Sequence, residues 1–262
     1  MKFTKMHGLG NDYLYVYGEV PENAAALSVK LSDRHFGAGS DGMIYIMPSK
    51  IADFKMRIFN ADGSEAKMCG NGIRCVGKYV YEKGYTDKTE LTVETLSGIK
   101  TLELTVSDGK VGQVCVDMGK AELFPEKTLD ISGEKIPCVP VSVGNPHAVI
   151  FVRNAETAAV GTLGPQIERH KEFPGGVNVE FIEVLSPFLL RMRVWERGSG
   201  ITMACGTGAC AAVTAAVGKG YCHAEEFVAV RLDGGELRVR VSENGDVTMK
   251  GPAEFVYEGA NY

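Results

Sequence analysis

Short runs of alternating or continuous apolar residues recur along the whole chain and predict strands. In the first half these runs cover residues 13–17, 43–47, 54–59, 90–95, 100–106 and 111–117, and in the second half 147–152, 177–184, 189–195, 227–232, 236–241 and 247–250. Helices are predicted at 22–34 and 155–170, and two more after the Cys-Gly pairs at 69–70 and 205–206. Because strands outnumber helices, each half is expected to be an α+β unit with a mostly antiparallel sheet around a helix.

One of these helices is apolar on every side. Between Cys205 and Lys219 the chain carries only Ala, Val, Gly, Thr and Cys, with no charged residue. A helix that is apolar all round is buried. We therefore expect it to run through the middle of the second sheet.

The chain repeats itself at a spacing of about 136 residues. That shift aligns the run Met-Arg-Ile-Phe at 56–59 with Met-Arg-Val-Trp at 192–195, and Lys-Gly-Tyr at 83–85 with the same tripeptide at 219–221. It also places Cys69 on Cys205, each before Gly-x-Gly. The repeat predicts two pseudo-symmetric lobes, residues 1–131 and 132–262, with the boundary near 132–142 and a site in the cleft between them. It leaves open whether the last strand packs on the first lobe.

Composition and charge exclude several classes of function. The net charge is −5 and the pI is about 5.6, so no basic surface for nucleic acid is expected. No apolar run approaches the roughly 18 residues of a membrane span, and the N-terminus lacks the apolar core of a signal peptide. A cytoplasmic protein without membrane partners is predicted. In that compartment the seven cysteines are expected to be thiols, and their spacings fit no metal site.

The two repeated cysteines suggest chemistry. A thiol at a helix N-terminus faces unpaired N–H groups, which stabilise a thiolate and lower its pKa from about 8.5. The same N–H groups can hold a carboxylate. If the two lobes face each other, one thiolate can remove a proton α to that carboxylate while the other thiol donates one, with no cofactor. The alternative is that each cysteine is a small buried apolar residue, but their matched positions favour a functional role.

Five separated motifs span almost the whole chain: MHGLGNDYLYV from residue 6, FNADGSEAKMCGNGIRC from 59, VGNPHAVIFV from 143, GVNVEFIEV from 176 and WERGSGITMACGTGA from 195. Together they resemble the motifs of the diaminopimelate epimerases. The resemblance implies two lobes, each a sheet wrapped round a central helix. It also implies interconversion of LL- and meso-diaminopimelate for lysine and cell-wall synthesis, without pyridoxal phosphate. A homodimer is expected, although no sequence pattern indicates the oligomeric state.

The resemblance also assigns roles to individual positions. Cys69 and Cys205 would be the acid and base thiols, with His147 and Glu196 beside them to tune their protonation. The backbone N–H groups that would hold the reacting carboxylate belong to Gly70, Asn71, Gly206 and Thr207. The polar set expected to grip the substrate is Asn11, Asn60, Asn145, Asn178, Glu196 and Arg197.

One stretch departs from the family and matches the pattern of a dinucleotide-binding motif. GAGSDG at 37–42 spells G-x-G-x-x-G, but it follows a predicted helix and leads into a strand, so a turn is predicted rather than a dinucleotide site. Many family members carry Gln where this chain has Gly42, and a side-chain contact there is therefore lost or replaced.

Three other functions stay open from the sequence. The same machinery could act on proline or hydroxyproline, whereas relatives of the phenazine-pathway type lack the paired thiols. A Cys-His hydrolase would use Cys205 as a nucleophile and need only one thiol. A binding protein that kept the fold alone would need neither.

Overall fold

The computed structural model describes residues 1–261, within which there are four helices and nineteen strands. The helices are α1 Ala24–Ser32, α2 Gly70–Glu82, α3 Val160–Glu168 and α4 Gly206–Gly218. The strands up to residue 123 are β1 Lys2–Gly8, β2 Asn11–Tyr17, β3 Gly42–Pro48, β4 Phe54–Asn60, β5 Glu65–Ala66, β6 Glu90–Thr95, β7 Gly98–Ser107, β8 Lys110–Lys120 and β9 Glu122–Leu123. The remaining strands are β10 Lys127–Ile131, β11 Glu134–Ser142, β12 Pro146–Phe151, β13 Asn178–Ser186, β14 Leu189–Glu196, β15 Gly200–Ile201, β16 Val228–Leu232, β17 Gly235–Val241, β18 Asp246–Gly251 and β19 Glu254–Ala260. Within residues 1–261 every helix is too short or too polar to cross a bilayer.

The chain forms two compact units whose limits differ from the predicted ones. The first comprises Met1–Asp117 and the segment that starts at Gly251, and the second is Met118–Lys250. The division therefore falls inside β8 and not after residue 131. The segment predicted as a boundary is strand β11, in which Pro137 and Pro140 give a linker-like composition. Both prolines nevertheless occupy ladder positions, opposite Thr128 and Ala148, because proline removes a donor but accepts extended backbone.

The first unit is a mixed sheet dominated by antiparallel pairs. β1 lies between β2 and β19 and is antiparallel to both. β2 then pairs parallel with β3, β3 antiparallel with β4, and β4 parallel with β6. The short β5 pairs with β4, and β6, β7 and β8 continue as antiparallel neighbours. The C-terminal strand thus belongs to the first unit.

The second unit repeats this order of pairings strand by strand. β11 and β12 are antiparallel, β12 and β13 parallel, β13 and β14 antiparallel, and β14 and β16 parallel. The short β15 again pairs with β14, and β16, β17 and β18 are antiparallel neighbours. The predicted fold class, two pseudo-symmetric α+β lobes of mostly antiparallel sheet, is confirmed.

A thirteen-residue helix lies at the centre of each unit. In the second unit α4 packs against several strands, including β11, β13 and β17, and nearly all of it is buried. In the first unit α2 is equally buried although it carries Arg74 and Lys78. The guanidinium of Arg74 donates to the carbonyls of Gly70 and Pro252 at 3.0 and 3.1 Å, so this buried cation has polar partners.

Candidate active site

Cys69 and Cys205 cap the two central helices in the same way. Each has extended backbone, and each sulfur accepts a hydrogen bond from the N–H three residues on, Gly72 at 3.2 Å and Gly208 at 3.3 Å. This is the N-cap geometry usually supplied by Ser or Asp. It holds each thiol at the positive end of a buried helix, as the repeat predicted.

The surroundings of Cys69 come from strand β2. The thiol donates to Oδ1 of Asn11 at 3.4 Å, and the Nδ2 of that amide donates to Asp41 at 2.8 Å, which fixes its orientation. Tyr13 lies two residues further along, on the same face of the strand, and its hydroxyl shares hydrogen bonds with Cys69 and Asn11. Burial, together with the neighbouring Cys69 and Asp41, raises the pKa of Tyr13 well above its usual value, so the hydroxyl stays protonated. Sequence reasoning did not predict Tyr13.

Gly42 packs beside Tyr13 and leaves no space for a side chain. A Cβ at this position would lie 2.2 Å from the carbonyl oxygen of Phe59 and 2.9 Å from both Cε1 of Tyr13 and Cα of Asn60. The amide of Asn60 donates to Ser64 at 3.0 Å. The contact that a longer side chain would make at position 42 is therefore lost, and the ring of Tyr13 occupies that side.

The remaining predicted residues of the first unit begin helix α2. Gly70 and Asn71 are its first two residues, and both are buried. Because the first N–H groups of a helix have no intrahelical acceptor, they are the groups of this unit suited to bind an anion.

Around Cys205 a chain of polar contacts joins helix α4 to strand β12. The sulfur lies 3.6 Å from Oγ1 of Thr207, which accepts from Nδ2 of Asn145 at 3.3 Å. Oδ1 of the same amide is 3.1 Å from Nε2 of His147. Gly206 starts the helix beside the thiol and is buried. The structure thus brings five of the predicted residues together at one helix start.

Glu180 completes this chain of polar contacts, although no role was assigned to it from the sequence. Its Oε1 lies 2.7 Å from Nδ1 of His147, and both side chains are fully buried. Asn178, a predicted site residue, pairs with His147 across the parallel strands β12 and β13. Glu180 lies two residues further along β13, on the same face, so the strand period could have identified it.

Glu196 reaches Cys205 from strand β14. Its carboxylate accepts hydrogen bonds from Thr202 and from the Cys205 thiol. Burial raises the pKa of Glu196, and the nearby carboxylate of Glu180 raises it further. Glu196 is therefore a carboxylate that accepts a proton more readily than an exposed glutamate does.

The pKa of Cys205 is raised well above its usual value, and the prediction of a lowered pKa was wrong for this thiol. Burial is the largest cause, and the charges of Glu196 and Glu180 add to it. The hydrogen bonds from Thr207 and Gly208 act in the opposite direction but do not outweigh these effects. A helix N-terminus therefore does not guarantee a thiolate where the thiol is buried beside two carboxylates.

Asn178 and Arg197 extend the group of residues around Cys205, which is called the Cys205 half-site below. Oδ1 of Asn178 accepts from the backbone N–H of Arg197 at 2.9 Å, and its Nδ2 donates to the carbonyl of Pro146 at 3.3 Å. The guanidinium of Arg197 donates to the carbonyl of Gly175 at 2.8 Å and is exposed. Arg197 thus presents an exposed cation close to the buried network.

Within residues 1–261 there is no group of three His, Cys, Asp or Glu side chains that could hold a metal ion. The ligands most directly suggested by the geometry are small anions at the two helix starts.

Comparison with known proteins places the chain in a family. A family model described as diaminopimelate epimerase matches residues 3–124 and 139–256. The diaminopimelate epimerase of Acetivibrio thermocellus is 52% identical over 275 residues, covering 99% of this chain and 98% of that protein.

Two solved structures share the fold at low sequence identity. A Bacillus anthracis phenazine biosynthesis protein aligns with a TM-score of 0.82 at 18% identity, over 100% of this chain and 99% of its own. A hydroxyproline epimerase from Agrobacterium vitis aligns with a TM-score of 0.75 at 18% identity, over 99% of this chain and 91% of its own. The predicted family and enzyme class, an isomerase, are confirmed by the match along nearly the full length: the chain belongs to the diaminopimelate epimerase family.

Proposed function

We propose that this protein interconverts LL- and meso-2,6-diaminopimelate by a two-thiol acid–base reaction that needs no cofactor. The observation that carries the proposal is the matched pair of helix-capping thiols, Cys69 and Cys205, in a chain of this family. Inversion at a carbon requires a base on one face and an acid on the other, and a duplicated helix start provides one such group in each unit.

In the proposed reaction the two sulfurs exchange roles with direction. One thiolate removes the α-proton, and the electron pair of the C–H bond passes into the carboxylate as an enediolate-like species. The opposite thiol then donates its proton to the other face of the same carbon. The thiol that began as the acid ends as the thiolate, so the product leaves with the protons balanced.

The network around Cys205 supports its part in this cycle. With its pKa raised, Cys205 is a thiol at neutral pH and is ready to donate. When Cys205 serves as the base, the carboxylate of Glu196 takes the thiol proton through the hydrogen bond between them. His147, held between Asn145 and Glu180, provides a fixed polar group beside this exchange.

Binding follows from the charges at the two helix starts. The reacting carboxylate is held by the backbone N–H groups of Gly70, Asn71, Gly206 and Thr207, where the charge of the enediolate develops. Arg197 can pair bidentately with the carboxylate at the far centre. The amides expected to read the ammonium and carboxylate groups are Asn11, Asn60, Asn145 and Asn178. The proposal includes a cytoplasmic homodimer that serves lysine and peptidoglycan precursor synthesis.

Proton NMR of LL-diaminopimelate in D2O, with reduced protein and no added cofactor, tests the proposal. We expect one α-proton signal to disappear as the meso form appears. Cys69→Ser and Cys205→Ser should each abolish turnover, whereas Cys222→Ser, at a buried cysteine outside both helix starts, should leave it intact.

The outcomes separate the competing functions. Exchange with proline or hydroxyproline instead of diaminopimelate would assign the same chemistry to another amino acid. A hydrolase would tolerate the loss of Cys69. Absence of exchange with all of these substrates, in protein with free thiols, would refute the epimerase reaction.

A further inference from the structure

Two buried carboxylates lie close to Cys205, and the proposed reaction uses only one of them. Glu196 exchanges a proton with the thiol, whereas Glu180 has no assigned part. The side chain of Glu180 is fully buried, with Oε1 2.7 Å from Nδ1 of His147. Among residues 1–261 its other oxygen, Oε2, has no hydrogen-bond partner. Burying a carboxylate with one unpaired oxygen costs free energy of folding, so its presence calls for a functional explanation.

Glu180 and Cys205 border the same small space above Gly208. A Cβ added to Gly208 would lie 2.7 Å from Oε1 of Glu180 and 3.2 Å from Cβ of Cys205. The carboxylate of Glu180 thus packs against the first turn of α4 beside the side chain of Cys205, and an added methyl group would not fit there. At this range, and away from water, a charge on one strongly affects the ionisation of the other.

The groups that face Cys205 come from four elements and act in opposite directions. Glu180 from β13 and Glu196 from β14 carry negative charge, which opposes a thiolate. The N–H of Gly208 and the hydroxyl of Thr207, both from α4, donate to the sulfur and favour a thiolate. His147 from β12 does not itself bond to the sulfur but links Glu180 to Asn145. Glu180 is therefore connected to the thiol both by charge and through the His147 ring.

We propose that Glu180 is a positioning residue of the Cys205 half-site: it anchors the His147 ring against Asn145, and its charge keeps Cys205 in the thiol form between turnovers. The assignment rests on the proposed epimerase function for its purpose, but the physical effect on the thiol can be measured without substrate. It adds to Glu196 a second carboxylate that sets how readily Cys205 donates and accepts its proton.

The test is the pH dependence of alkylation at Cys205, followed by iodoacetamide labelling and peptide mass spectrometry. Glu180→Gln keeps the size of the side chain and an acceptor for His147 but removes the charge. We expect the labelling midpoint of Cys205 to move to lower pH by about one unit, while that of Cys69 stays unchanged. A midpoint that is unchanged or moves upward would overturn the proposal.

Glu183→Gln is the matched control on the same strand. Three residues along β13, Glu183 bonds to the backbone N–H of Ala155 and belongs to the opposite face. Its replacement should leave the Cys205 midpoint where it is.

Glu180→Asp provides a second test that keeps the charge and guards against misfolding of the Gln variant. The shorter side chain draws the carboxylate back from His147 and Cys205, so the midpoint should fall between those of wild type and Glu180→Gln. If only the Asp variant folds, a midpoint equal to that of wild type overturns the proposal.

Epimerase assays on the same proteins distinguish a failure of the role of Glu180 from a failure of the epimerase function. Active wild type with an unshifted midpoint in Glu180→Gln would reject the role of Glu180 alone. Inactive wild type with a shifted midpoint would reject the epimerase function and leave the effect of Glu180 on the thiol established.

Discussion

Cys69 and Cys205 occupy the same position in helices of equal length, and each sulfur accepts the N–H of a glycine three residues on, at 3.2 and 3.3 Å. Their surroundings differ. Cys69 meets the neutral groups of Asn11 and Tyr13, whereas Cys205 meets two carboxylates. The two thiols are therefore equivalent in backbone geometry and distinct in electrostatics.

This difference predicts the order in which the thiols react. Cys69 is partly exposed, while Cys205 is 6% exposed and has a raised pKa. At pH 7 we expect iodoacetamide to label Cys69 before Cys205, which time-resolved peptide mapping will show. Earlier labelling of Cys205 would contradict the electrostatic assignment.

Gly72 and Gly208 are equivalent in the repeat but should differ in their tolerance of alanine. At Gly72 the added Cβ would meet the end of the Ile44 side chain at 2.6 Å, and that side chain can move. At Gly208 it would meet Oε1 of Glu180 at 2.7 Å, which the bond to His147 holds in place. Gly208→Ala should therefore destabilise the protein by about 1–3 kcal/mol more than Gly72→Ala, as measured by denaturant unfolding. Equal losses would mean that the Glu180–His147 pair is free to shift.

Restoring a side chain at position 42 should harm the protein. Gly42 has φ +153°, and a Cβ there would collide with the backbone of Phe59. Gly42→Gln should lower the free energy of unfolding by about 1–3 kcal/mol from backbone strain, with a further loss from the collision. The control is Gly109→Gln at φ +71°, where a Cβ would meet no atom within 4 Å. An unfolding midpoint of Gly42→Gln equal to that of the control would show that strand β3 can rearrange.

Asp53 should make the first unit sensitive to acid. The hydrogen bond from Lys88 and that from the Thr92 backbone lower the pKa of Asp53. A carboxyl whose pKa is lower in the folded state stabilises the fold above its unfolded pKa, near 4, and loses that contribution as the pH falls through the folded value. Asp53→Asn should therefore cost about 1 kcal/mol at pH 7 and little near pH 2.

Thermal unfolding of Asp53→Asn and wild type across this pH range checks the effect. Asp87→Asn, at an exposed position, serves as the control. A difference between wild type and Asp53→Asn that stayed constant down to pH 2 would show that the interaction does not depend on charge.

The sequence revealed the two central helices because glycine-rich starts and uncharged runs are strong local signals. Strand β1 was missed because Lys2 and Lys5 interrupt its apolar pattern, and the ion pair of Lys5 with Asp12 exists only in the folded chain. The repeat placed the lobe boundary near 132–142, but that segment contains strand β11, and the two units divide inside β8. Helices α1 and α3 are shorter than the predicted ranges 22–34 and 155–170, since their ends depend on packing rather than on periodicity.

The candidate site was likewise only partly visible in the sequence. Motifs identified the thiols, His147 and Glu196, but a glutamate in an apolar strand reads as a solvent-facing residue. The strand period places Glu180 on the same face as Asn178, but its burial against His147 is visible only in the fold. The raised pKa of Cys205 was missed for the same reason, because it depends on two carboxylates from separate strands.

The pairing of β1 with β19 has a consequence for synthesis on the ribosome. Lys2–Gly8 leaves the exit tunnel long before Glu254–Ala260, one of its two neighbours in the sheet, has been translated. The second unit is continuous from Met118 to Lys250 and can close while that neighbour is still being translated. The first unit is thus completed only after the second has been translated, and the open edge of β1 has to stay protected from wrong partners throughout that time.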